Sequence, residues 1–368
     1  MSRFPRSGTP ICITYRRNHS GLSCERKSSG RRIAMNYVRL GASGLQVSRL
    51  CLGCMSYGQA TTGYSHPWAL SEQESRTFIR HALDLGINFF DTANNYQDGE
   101  SEAVLGRAIR DFGVRDEVVL ATKVAAPVRP GPNGRGLSRK AILSEVDKSL
   151  QRLCTDYIDL YQIHLFDNQT PLEETLGALN DVVRAGKVRY LGACNLHAWQ
   201  LMKAIGLQRA NGWPTFIAIQ NLYNLLNREE EREMLPLCLS EGVAANPWSP
   251  LARGRLTRPW SDEPATERAK TDVFGKALFE RTAAVDKPIV DRLIEVAQAR
   301  ELPASQVALA WMLRNPAIAA PIVGATKLDH LDDAVAALSV ELSSREIDRL
   351  EEPYQPHPLR LSSLETLP

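Results

Sequence analysis

No stretch of eighteen apolar residues occurs in this chain of 368 residues, so no membrane-spanning helix is expected. A net excess of either charge is lacking as well. The formal net charge is +2, too little for the field a nucleic-acid partner needs. The seven cysteines are odd in number and scattered, which argues against a disulfide framework and for reduced thiols in a cytoplasmic protein. Only Cys51 and Cys54 lie close together, as a C-x-x-C inside the apolar "RLCLGCMS". No second pair completes a zinc site, so they read as small core residues. No G-x-G-x-x-G follows the first apolar run, and no P-loop is present. No His-x-His follows that run either, so no metal ligands are expected.

What is present is an ordinary globular composition, 43% hydrophobic and 23% charged. The first 34 residues depart from it, with eight Arg or Lys, one acid and six serines. Three readings fit them: a disordered extension, an organelle import segment, or codons upstream of a true start at Met35. In each case residues 35–368 are expected to hold a single folded domain.

That domain opens with "YVRLGASGLQVS" (37–48), which predicts a hairpin with Gly41 and Gly44 in its turn. Eight short apolar runs follow, at 50–53, 87–91, 118–123, 157–164, 188–193, 216–220, 242–246 and 319–323. Such nearly continuous runs suit parallel strands covered on both faces. Between them lie helical patterns at 71–83, 100–109, 138–153, 170–185, 198–209, 229–240, 287–300, 303–314 and 327–338. Ser71 with Glu74 forms a capping box for the first. Eight strand–helix repeats predict an α/β fold, a (β/α)8 TIM barrel with an N-terminal hairpin. The stretch 257–287, rich in charge and proline, is expected to be a long loop with short helices after strand 7, over the cofactor.

A barrel of this kind carries its active site at the C-terminal strand ends. There the sequence places Asp91, Lys123, His164, Asn195, Gln220 and Trp248, with Tyr96 five residues beyond Asp91. A buried lysine needs a partner, and Asp91 on the neighbouring strand supplies one. Lys123 beside Tyr96 is expected to lower the tyrosine pKa towards neutrality, so that the phenol can give a proton to a carbonyl oxygen. His164 can orient that carbonyl. The hydride must come from a cofactor. Asn195 and Gln220 suit its carboxamide and Trp248 its flat ring. Ser249, Gly254 and Arg255, in "PWSPLARGRL", suit a pyrophosphate, and Leu251 of the same stretch is a further cofactor-binding candidate. After strand 8, "VGATKLDHL" brings Gly324 and Lys327 to the start of a helix, where Lys327 can meet a further phosphate.

These motifs resemble the aldo-keto reductases, in the branch of aryl-alcohol dehydrogenase-like enzymes and potassium-channel β-subunits. The match runs from about Tyr37 to Leu359 and includes "GINFFDTANNY", "ATKV", "LCTDYIDLYQIH", "AGKVRYLGACN" and "PWSPLARGRLT". The resemblance implies Asp91, Tyr96, Lys123 and His164 as the catalytic tetrad. It implies Cys194, Asn195 and Gln220 at the nicotinamide amide, Trp248 at the ring, and NADPH, in preference to NADH, held without a Rossmann fold. Two positions depart from the pattern. Cys194 stands where many relatives have Ser. His330 and Ala334 stand where relatives have Gln and Asn at the adenine end, which leaves Asp333 as the polar candidate there. The expected activity is reversible reduction of small aldehydes or ketones. Loops 56–70, 125–137 and 166–169 would set the substrate, with Tyr57, Tyr64, Trp68 and Phe166 favouring apolar or aromatic carbonyls. Two rival functions use the same residues: a cofactor-binding redox-sensing subunit with slow turnover, and a Schiff-base aldolase with Lys123 as nucleophile.

Overall fold

A computed structural model describes residues 35–60, 65–261 and 266–358. The basic first 34 residues and Tyr64 lie outside them.

The hairpin forms as the glycines predict. Strands β1 (Tyr37–Arg39) and β2 (Gln46–Ser48) pair antiparallel, with Val38 opposite Val47. Gly41 has φ +60, and a Cβ there would sit 2.5 Å from the carbonyl oxygen of Gly242 and 2.6 Å from that of Ile217. The turn is therefore pressed against the barrel wall, where only glycine fits. Leu40 and Val47 are fully buried with Phe89, Val119, Leu160 and Ala218, so the hairpin closes the N-terminal end of the barrel. Each of these large side chains contributes roughly 1.5–3 kcal/mol by leaving water.

The wall consists of eight parallel strands: β3 (Cys51–Gly53), β4 (Phe89–Asp91), β5 (Val119–Val124), β6 (Ile158–Ile163), β7 (Val188–Cys194), β8 (Phe216–Gln220), β9 (Ala244–Ala245) and β10 (Ile322–Val323). Their order is β10-β3-β4-β5-β6-β7-β8-β9. Bridges from Ala245 to Ile318 and from Trp248 to Ile322 join the two edges. Every residue of β5 and β6 is buried, as continuous apolar runs require when helices cover the outside. Cys51 packs inside the barrel and Cys54 in the outer layer.

Helices α1 (Glu72–Asp84), α2 (Glu100–Phe112), α3 (Arg139–Arg152), α4 (Leu172–Arg184) and α5 (Ala198–Ala210) follow the first five barrel strands. The Ser71–Glu74 capping box is present. The helix expected over 229–240 is shorter than predicted: a 3-10 turn spans Glu229–Glu231, and α6 covers Met234–Glu241. Pro236 has no N–H for a bond to the preceding turn and its ring crowds the carbonyl four residues back, so it is best tolerated in a first turn, where α6 places it. The long loop after β9 contains α7 (Glu267–Thr271) and α8 (Val273–Phe279), matching the expectation of short helices. Then come α9 (Ala283–Ala299), α10 (Ala304–Leu313), α11 (Leu328–Ala336) and α12 (Ser344–Glu351). Helix α12, which the apolar pattern did not signal, has its own capping box from Ser343 and Glu346. Among the described residues, no helix is long and apolar enough to cross a membrane.

Candidate active site

With the hairpin closing one end, the other end of the barrel is the mouth. Asp91 ends β4, Lys123 is the penultimate residue of β5, and His164 lies just past β6. Lys123 is fully buried and forms an ion pair with Asp91 Oδ1. Its Nζ also donates to the Thr92 carbonyl (2.8 Å) and to Tyr96 Oη (3.3 Å). All three protons of the ammonium thus have acceptors, which is what allows a charge in this place.

Tyr96 is aimed by a strained turn. Gln97 (φ 52) and Asp98 (φ 55) follow it in the left-handed region, then Gly99 (φ 91). Non-glycine residues hold such angles only when their surroundings fix them. The buried Gln97 amide donates to the Met55 carbonyl (2.8 Å) and accepts from Ser65 Oγ (2.7 Å) and the His66 N–H (3.0 Å). His164 meets the Tyr96 ring edge-on, with centroids 5.7 Å apart and planes at 80°. The four residues expected from strand ends are therefore brought together.

Their electrostatics correct one expectation. Burial alone would strip the proton from Lys123, but Asp91 and then Tyr96 hold its pKa above the ordinary lysine value. The Tyr96 pKa is raised rather than lowered towards neutrality. Burial pushes it up more than the Lys123 ammonium pulls it down, and the Asp91 carboxylate adds to the upward push. Tyr96 thus remains a protonated phenol at neutral pH, and Lys123 only limits the rise. Burial, and then Lys123, hold His164 well below the usual histidine range, so its ring is neutral. Its Nδ1 is buried without a hydrogen-bond partner.

Beside this group the amides are already engaged. Asn195 (φ 56) donates from Nδ2 to the His164 carbonyl (3.1 Å) and accepts at Oδ1 from Trp248 Nε1 (2.9 Å). Gln220 donates from Nε2 to Asp91 Oδ2 (2.9 Å), so it touches the tetrad directly. Cys194 ends β7, in register with Gln220. Its side chain has no exposed surface, and its thiol lies 3.8 Å from Oε1 of Gln162. Gln162 was missed, although counting back by two from His164 places it on the inward face of β6.

Trp248 is half-buried and faces Phe274 of α8 at 6.3 Å. Ser249 and Leu251 are half-buried in the loop that follows. Gly254 has φ +94 and donates its N–H to the Leu251 carbonyl (2.9 Å). Arg255 leans over Trp260 and Phe279, 5.4 and 5.7 Å from their ring centres. A second missed group is Arg253, which pairs with Asp272 while its Nε is buried without a partner. Arg268 shares the same carboxylate (3.4 Å), and burial followed by Arg253 pushes its pKa down to about 10. Two guanidinium groups on one carboxylate leave positive charge for an anion. Gly324 and Lys327 are exposed, Lys327 at the N-cap of α11. Asp333 lies on α11 with one oxygen accepting from Gln306 (2.9 Å), and Ala334 is buried.

The expected substrate aromatics divide. Tyr57 is fully buried, stacked on Phe78 of α1 at 5.9 Å, with its hydroxyl 3.4 Å from the Ala325 carbonyl. It is a core residue, because the loop turns it under the wall instead of into the mouth. Trp68 stacks on His66 at 4.4 Å with Arg268 over its ring, and its indole N–H is buried without a partner. Phe166 is half-buried and meets Trp199, which is 60% exposed, edge-on at 6.2 Å.

This barrel, with a buried Asp–Lys pair feeding a tyrosine beside a neutral histidine, coincides with what comparison finds. Residues 49–355 match the Aldo/keto reductase family, and the chain belongs to it. It is 44% identical over 341 residues to versiconal hemiacetal acetate reductase of Aspergillus parasiticus, covering 88% of this chain and 98% of that protein. It is 42% identical over 347 residues to a protein of Schizosaccharomyces pombe named as a candidate aryl-alcohol dehydrogenase, covering 88% and 97%. It is 40% identical over 346 residues to the aldo-keto reductase AMT2 of Alternaria alternata, covering 88% and 92%. The family and these names support an oxidoreductase that acts on carbonyl groups.

Proposed function

We propose that the protein reduces aldehydes or ketones to alcohols, reversibly, with NADPH as the hydride source. The observation that carries this reading is Lys123, whose one ammonium joins Asp91 to the Tyr96 hydroxyl. When bound, the nicotinamide supplies hydride to the carbonyl carbon. The chain's own residues deal with the oxygen. Tyr96 Oη gives it a proton, and the Lys123 ammonium stabilises the phenolate left behind. The neutral His164 can donate a hydrogen bond to the same oxygen and fix its direction. Asp91 keeps Lys123 charged in a dry place. An aldolase role for Lys123 is disfavoured, because a nucleophile must be a free amine and this one is held as an ammonium.

The residues present fit a nicotinamide dinucleotide. Trp248 offers a partly exposed ring beside Asn195 and Gln220, and the Arg253–Asp272–Arg268 group has positive charge to spare. Trp248, Ser249, Leu251, Gly254 and Arg255 would hold the nicotinamide and pyrophosphate, with Gly324 and Asp333 contributed by the adjoining β10–α11 segment. The exposed Lys327 would read the 2′-phosphate and set the preference over NADH. Trp68 and Phe166 at the rim favour an apolar or aromatic carbonyl as the partner of a cytoplasmic enzyme that binds neither nucleic acid nor membrane. A panel of aldehydes and ketones, followed by loss of NADPH absorbance without added metal, tests the proposal. Aromatic or medium-chain aldehydes are expected to turn over. Absence of turnover across the panel, with no binding of NADPH, would reject it.

A further inference from the structure

The two oxygens of Asp91 are held by different groups. Oδ1 faces Lys123, while Oδ2 accepts two amide N–H groups, from Gln162 Nε2 (3.0 Å) and Gln220 Nε2 (2.9 Å). Gln162 is 1% exposed, so it touches neither solvent nor anything bound at the mouth. Its amide has a fixed sense. Oε1 faces the Cys194 thiol at 3.8 Å and Gln220 Nε2 at 3.4 Å, which leaves Nε2 for the carboxylate. The neighbouring strand makes room for it: a Cβ on Gly192 would lie 3.0 Å from Gln162 Cγ. In register, Gln162 stands between Lys123 of β5 and Gly192 of β7.

We propose that Gln162 is a positioning residue, which with Gln220 anchors Oδ2 of Asp91 so that Oδ1 stays turned to Lys123 and Nζ stays within reach of Tyr96. A carboxylate oxygen held by one donor instead of two is freer to turn about the Cβ–Cγ bond and to take the lysine with it. Its charge is also less dispersed when a donor is lost. Asp91 opposes ionisation of Tyr96 and Lys123 favours it, so losing the Gln162 donor raises the pH at which the tyrosine loses its proton. The arrangement gives Cys194 a role its position at the strand end did not suggest: its thiol sets the sense of the Gln162 amide. The proposal rests on the carbonyl-reductase reading for its kinetics but not for its geometry.

The test uses Gln162→Met, equal in length and without the amide, in the full chain. Crystals of the cofactor-free variant should show Asp91 rotated and the Lys123–Tyr96 contact lengthened from 3.3 Å. NADPH affinity, read from tryptophan quenching, should be unchanged. Turnover should fall roughly 10-fold, less than the ~10²-fold that a 1 Å misplacement of a reacting group costs. The alkaline limb of the reduction profile should move to higher pH. If Gln162→Met does not fold, Cys194→Ala should produce the same shifts on a smaller scale, and Cys194→Ser, a stronger donor, should reverse them. An unmoved Asp91–Lys123–Tyr96 group with a pH profile that superimposes on wild type overturns the proposal. A rotated Asp91 in a protein whose wild type reduces no carbonyl supports the positioning role and rejects the reductase reading, so the two failures are distinguishable.

Discussion

The floor of the mouth and its rim are built by opposite rules. On the floor, Asp91, Lys123, Gln162 and Gln220 are buried and bonded to one another. At the rim, polar groups lie buried without partners on Trp68 and Arg253, and aromatic rings meet at distances of 4.4 to 6.3 Å. That four-residue network is costly to alter, because each deletion strands a partner in a low dielectric, whereas His164 Nδ1 beside it has no partner, like the rim groups. A rim with unmet donors is made to meet something else. On the proposed function, the chemical step belongs to the floor and the choice of ligand to the rim. Floor variants should then lose turnover and rim variants affinity.

The largest effect is expected from Lys123→Met. It removes the partner of Tyr96 and leaves Asp91 buried without its counter-charge. Turnover should drop by ~10²–10⁴-fold, as when a tuned proton donor is disabled. Stability should fall by ~3–5 kcal/mol, the usual result of orphaning a buried charge. Adding Asp91→Asn should recover melting temperature without turnover. If the double variant regains both, the floor serves stability alone.

An intermediate effect is expected at the rim. Lys327→Ala should weaken NADPH by ~10–100-fold and leave NADH nearly unchanged, the loss of one charge-assisted contact. Titrating both nucleotides decides the matter. Equal losses for the two, or none for either, would move the phosphate to another cation such as Arg255.

The smallest effect is expected from Trp68→Ala. The Michaelis constant for an aromatic aldehyde should rise by roughly 3–30-fold, the worth of one aromatic contact, while the turnover number for a short aliphatic aldehyde stays the same. A fall in turnover for both substrates would mean that Trp68 supports the floor, and the division between the two regions would dissolve.

The same division explains what could be read from the sequence. Parallel strands give short apolar runs, and a polar residue that closes such a run has little choice but to face the mouth. Asp91, Lys123, His164 and Gln220 were legible for that reason. The hairpin was legible from Gly41, whose positive φ and close approach to Gly242 and Ile217 admit no other residue. Tyr57 was misread because an aromatic residue in a loop carries no sign of its direction, and only the stacking on Phe78 reveals it. Gln162 escaped notice because a buried polar residue inside a strand takes its meaning from partners far along the chain. The Tyr96 pKa was misjudged for a different reason: the lysine is visible in the sequence, whereas the degree of burial that outweighs it is not. The break before α6 was legible in principle at Pro236.

The proposed reduction turns on delivery of the proton by Tyr96. Single-turnover oxidation of enzyme-bound NADPH by an aromatic aldehyde, compared between wild type and Tyr96→Phe at equal cofactor saturation, tests it most directly. The variant should bind NADPH as tightly as wild type and oxidise it ~10²–10⁴-fold more slowly. Oxidation at the wild-type rate in Tyr96→Phe would contradict this role and assign the proton to another group.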